Sequence, residues 1–166
     1  MQAEVTNRCL VKFVWAALIF FAWSIIQGAI QVQDPVRTLL EQGPGGMIGG
    51  AHTHIGLMGW MSLALMAVFY YVVPSISGKS IAWPKLINWV FWIFVVCSAA
   101  ASVLMILGGV VGGSAFAAGA KGAQLDSLIL PYAMSAGLLC TIATIAGLMF
   151  VVQILVSLTR VSKASS

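Results

Sequence analysis

The sequence predicts an all-α membrane protein: a four-transmembrane-helix bundle, one domain over residues 1–166, with N- and C-termini cytoplasmic. Three observations carry that expectation. Hydrophobic residues make up 61% of the chain and charged residues only 7%, against roughly 25% charged in a soluble domain. The charges are also segregated, with none between Lys12 and Asp34, Glu41 and Lys79, Lys85 and Lys121, or Asp126 and Arg160. Each interval is an apolar run long enough, at about 1.5 Å per residue, to cross a hydrocarbon core of about 30 Å. Finally, the basic residues are lopsided about these runs. Arg8, Lys12, Lys79, Lys85, Arg160 and Lys163 fall on one side, and Arg37 and Lys121 on the other with Asp34, Glu41 and Asp126. The positive-inside rule makes the richer side cytoplasmic.

The first helix is expected over about 10–31. Arg8 and Lys12 precede it as they would a signal peptide, but the run is too long for a signal core and its Gly28-Ala29-Ile30-Gln31 exit lacks a cleavage pattern. The second is expected over 50–73, closed by Pro74, because proline cannot continue the hydrogen-bond ladder. The third, over 86–111, is introduced by Pro84. The fourth, over 128–158, has Pro131 in its first turns, where a missing N–H costs least. Between them lie two Gly-rich outer connections, 32–49 and 112–127, and a short inner one that makes helices two and three a hairpin. The net charge of +4 reflects this topology and implies no nucleic-acid partner. Cys9, Cys97 and Cys140 have no metal-binding spacing and no disulfide is expected.

Chemistry concentrates in Ala51-His52-Thr53-His54, which holds the only histidines. A ligating side chain at membrane depth is costly without a partner, so it draws a functional reading. Two residues apart on a helix, the pair point about 200° from one another and do not share a metal easily. Helical spacing sets Gly56 and Gly59 below His52, leaving room for a flat ligand or for a closely packed helix. Below His54 it sets Met58 and Met61, soft ligands for copper or adaptable packing. The metal-ligand expectations are therefore His52 and His54. Gln27 and Gln31 on helix one, and Tyr132 and Ser135 on helix four, are expected to bond across helices or to a ligand. Ser98–Ser102, Gly108-Gly109, Gly137 and Gly147 read as close helix contacts, and Trp23 and Trp60 as packed indoles.

His52-Thr53-His54, with the helix ending Phe69-Tyr70-Tyr71-Val72-Val73-Pro74, resembles helix two of the haem-copper oxidase large subunit. The closest branches are the nitric oxide reductases and the cbb-type oxidases, and the resemblance covers the first four helices. It implies His52 as an axial ligand of a b-type haem near the outer face, with Gly56 and Gly59 against the porphyrin. Arg37 and Lys121, the only outer basic residues, would then pair with its propionates. The family's arginine three residues before the histidine is Gly49 here, and its later histidines have no counterpart in these residues. Oxygen or nitric oxide reduction by this chain alone is thus not expected. The readings open at this point are three. One is a haem-b electron-transfer protein or subunit, its second axial ligand from another chain or from Met105 or Met134. Another is a cofactor-free accessory subunit of a larger membrane enzyme. The last is a copper-binding membrane protein. The chain is expected in a bacterial or archaeal cytoplasmic membrane, as a homo-oligomer or beside another membrane subunit, which the haem reading requires because four helices do not enclose such a haem.

Overall fold

The structure is a computed structural model that describes residues 2–160, with side chains from Cys9 onward. Lys163 and the side chain of Arg8, both counted on the basic side, lie outside the described residues. In hydrocarbon a backbone must satisfy its own N–H and C=O groups, so each apolar run becomes a helix. In order these are α1 (Gln2–Gln31), α2 (Val36–Leu40), a 3₁₀ turn (Gly43–Gly45), α3 (Gly46–His54), a π-helical segment (Ile55–Ser62), α4 (Leu63–Ser77), α5 (Pro84–Ala117) and α6 (Ala123–Thr159). The segments from Gly43 to Ser77 run on as one rod. Four helices are therefore long and apolar enough to span a membrane, and no strand occurs among the described residues.

The crossings exceed the expected boundaries. Pro74 lies inside α4, which ends three residues later where Gly78 takes the left-handed conformation at φ 65°. Pro131 sits well inside α6, not in its first turns. Each proline forfeits one backbone bond, yet leaving the helix within hydrocarbon would forfeit several. Pro84 does stand at the start of α5, as expected.

The two Gly-rich connections, 32–49 and 112–127, are largely helical. Residues 32–49 fold into α2, the 3₁₀ turn and the start of α3, and they cap the C-terminal end of α5. Gly112 and Gly113 belong to α5 itself and admit that cap: a Cβ on Gly112 would stand 2.7 Å from Pro44, and one on Gly113 2.7 Å from Leu39. Below them, Gly108 and Gly109 take Tyr132, Met47 and Ile48 at similarly short range. Ser98 and Ser102 are buried on the same helix, whereas Gly137 on α6 is exposed with nothing near it. Gly147 has only an ordinary contact with Phe94, at 3.6 Å.

The opposite end is aromatic and basic. Phe13 meets Tyr70 and Phe91 edge-on at 5.6 and 4.9 Å, and Phe150 closes on Tyr70 at 5.1 Å. Lys12 reaches Asn88, Lys79 donates to the Leu158 carbonyl at the end of α6, and Arg160 lies 5.6 Å above the Trp83 ring. The described basic residues of the richer side thus share one end of the bundle.

Candidate functional site at the histidine pair

α1 and α3 meet through a shared acceptor. Gln27 and Gln31, one turn apart on α1, both donate their amide N–H to the Ile48 carbonyl at 3.1 Å. A carbonyl only accepts, so this contact fixes both amide orientations. It also occupies the backbone acceptor one turn before His52. His54 donates Nδ1–H to the carbonyl four residues back, that of Gly50, at 2.8 Å. The equivalent acceptor for His52 is Ile48, already engaged by two glutamines, and His52 Nδ1 is buried without a partner. Gln27 Oε1 is buried and unpartnered at the same interface.

The His52 ring is turned to α1. A Cβ on Gly28 would stand 3.1 Å from its Cε1 and 3.6 Å from its Nε2, so only glycine lets the imidazole lie against that backbone. The strip below it is filled by the same helix. Gly56 faces Ser24, where a Cβ would stand 3.4 Å from Oγ, and a Cβ on Gly59 would overlap the Phe20 ring. Of the two occupants the sequence allowed, a flat ligand or a helix, the structure has the helix. The π-helical segment begins directly after His54, and there each residue turns through a smaller angle than in an α-helix. It carries Met58 into partial burial and leaves Met61 exposed.

The other expected site residues are not brought to His52. Arg37 is exposed and pairs with Glu41 at 3.5 Å, and Lys121 is exposed in the loop before α6. Met105 packs at Gly50, two residues from His52 and so on the opposite side of α3 from α1. Met134 is exposed on α6. A cavity of about 300 Å³ opens nearby between α1, α2, α3 and α5, lined by Trp23, Gln27, Gln31, Leu39, Ile48 and Ile106 among others, and neither histidine lines it. Among the described residues no three His, Cys, Asp or Glu side chains are grouped as a metal would require.

The b-type haem implied by the resemblance therefore does not fit at His52 within this chain. Its glycine strip is occupied by Phe20 and Ser24, and the Cε1–Nε2 edge of the ring lies on α1. His54 differs from His52 in its hydrogen bonding. Its Nδ1–H is anchored on a backbone carbonyl, which leaves the Nε2 lone pair free, the arrangement in which ligating histidines are held.

Sequence reading missed Gln153. Fully buried on α6, its Oε1 accepts the Tyr70 hydroxyl at 2.8 Å, and its Nε2 donates to the Ala82 and Trp83 carbonyls at 2.6 and 3.0 Å. Ser157 completes the clamp by accepting Ala82 N–H at 2.9 Å. The available signal was a lone side-chain amide within an apolar run. Comparison of the chain with protein-family models, curated proteins and solved structures found no match.

Proposed function

We propose that the chain is an accessory subunit that packs within a bacterial or archaeal cytoplasmic membrane against a larger membrane enzyme, its termini cytoplasmic and His52 a packing residue without a cofactor. The observation that carries this reading is an exposed face of α6. Gly137, Thr141 and Thr144 follow one another at helical spacing, all exposed, with nothing within 4 Å of a Cβ placed on Gly137. Both threonine hydroxyls are returned to their own helix, on the Gly137 and Cys140 carbonyls at 2.9 Å. Lipid contact calls for bulky apolar groups, whereas a small, smooth strip lets another helix approach closely. The interior supplies support as well: the buried amides and hydroxyls join helices, and the one acidic side chain on a described span, Asp126, stands exposed in the first turn of α6.

Native mass spectrometry from mild detergent tests this reading. The chain should appear in an assembly larger than its own 17.5 kDa, and Gly137→Leu should release it while its helicity is kept. A stable monomer, or an assembly indifferent to Gly137→Leu, would contradict it.

A second reading, the redox subunit, is favoured by the anchored imidazole of His54. There, haem b or copper would be held between His54 Nε2 and groups of a second chain. Metal content that falls with His54→Ala and not with His52→Ala would support it.

A further inference from the structure

We propose that the basic end of the bundle binds one anionic phospholipid, its phosphate held by Lys12 and Lys85 beside Asn88 and its acyl chains laid along Trp15, Trp89 and Trp92. The four described cations at this end are not equivalent. Lys79 is bonded to the Leu158 carbonyl at 2.9 Å, and Arg160 is stacked over Trp83. Lys12 donates only to a neutral group, the Asn88 Oδ1, at 3.3 Å. That contact carries its ammonium from α1 to the first turns of α5, where Lys85 stands one turn before Asn88. Lys12 thus reaches the helix face on which Lys85, also exposed, is the i−3 neighbour of Asn88. Of the four acidic residues, Asp34, Glu41 and Asp126 belong to the opposite end, and Glu4, two turns before Lys12 on α1, has its side chain outside the described residues. Like charges drawn together repel unless an anion lies between them.

The rest of the ligand is read from what lies deeper. Trp15 follows Lys12 by three residues, Trp89 follows Lys85 by four, and Trp92 follows Asn88 by four, each displaced toward the membrane centre on its helix. All three indoles are exposed, by 64%, 65% and 51%. Cations at headgroup level above indoles at the top of the hydrocarbon match a phosphate carried on acyl chains. Inorganic phosphate has nothing to offer the indoles, and a choline headgroup would bring a third cation to the lysines.

Tryptophan quenching in the reconstituted full chain tests the proposal. Phosphatidylcholine vesicles would carry a small fraction of phosphatidylglycerol brominated on its acyl chains, with brominated phosphatidylcholine at the same fraction as the reference. Brominated phosphatidylglycerol should quench several-fold more per molecule. Lys12→Gln with Lys85→Gln should erase roughly tenfold of that relative affinity. Trp89→Phe, which changes no charge, should remove part of the excess quenching, and Lys121→Gln at the other end should leave it intact. Equal quenching by the two lipids overturns the proposal, as does a preference surviving the double lysine variant. Loss with Lys121→Gln would mean a general charge effect, and loss on adding inorganic phosphate would mean a phosphate site; either also overturns it.

Discussion

Tyr70 and Gln153, 83 residues apart, join the two halves of the chain at 2.8 Å, hydroxyl to amide oxygen, with both side chains fully buried. Both amide N–H donors are used as well, since they hold the Ala82 and Trp83 carbonyls of the turn before α5. Trp83 is there in the left-handed region at φ 45°, a costly conformation for a residue with a side chain. The clamp holds it in place. Tyr70→Phe is expected to cost about 1 kcal/mol, the net value of one hydrogen bond. Gln153→Leu should cost about 3 kcal/mol, since it strands two carbonyls and a hydroxyl away from water. Detergent unfolding followed by circular dichroism, run as a double-mutant cycle, should return a coupling of about 0.6 to 2 kcal/mol between the pair.

The packing of α1 on the rod from Gly43 to Ser77 gives a second expectation. Gly59→Ala would drive a methyl into the Phe20 ring and should destabilise the bundle by about 1–3 kcal/mol. Phe20→Leu should recover part of that loss. Gly147→Ala, whose methyl would stand at an ordinary 3.6 Å from Phe94, should be neutral or slightly stabilising. Equal costs at the two glycines would mean that α1 does not rest on Gly59.

How much of this was legible in the sequence depends on the range of the interaction. The charge-free intervals revealed four crossings, because the bilayer fixes the length of an apolar run irrespective of what it touches. The ends of the crossings were misread wherever a local signal met that same constraint. Pro74 and Pro131 usually stop helices, but here they remain inside α4 and α6. Gly112-Gly113 has the composition of a loop, yet the pair is the seat on which Pro44 and Leu39 rest. The histidine site was legible as a place and not as an arrangement. That Gly56 and Gly59 needed an occupant followed from their missing side chains. That the occupant is Phe20 with Ser24 depends on the angle between two helices, which no spacing along one helix reports. The contrast between His52 and His54 was equally hidden, because it turns on which carbonyl the glutamines of α1 reach.

The orientation expected from the charge distribution is open to accessibility labelling. In a background with Cys9→Ser, a cysteine at the exposed Lys121 should react with an impermeant thiol reagent from outside, and one at the exposed Ser80 only from the cytoplasmic side. Gly45 is a poor reporter position, since a Cβ there would overlap the Leu39 carbonyl. Reaction of Ser80→Cys from outside would invert the topology.

His52 packs on α1 at Gly28, and the proposal that it does so without a cofactor is tested most directly by optical spectroscopy of the purified protein. Reduced-minus-oxidised spectra would be recorded for the unaltered chain, His52→Ala and His54→Ala in mild detergent. The account predicts that His52→Ala leaves the spectrum and metal content unchanged, while thermal stability falls as the ring leaves a hole beside Gly28. A haem Soret band in the unaltered chain that His52→Ala abolishes and His54→Ala preserves would contradict it.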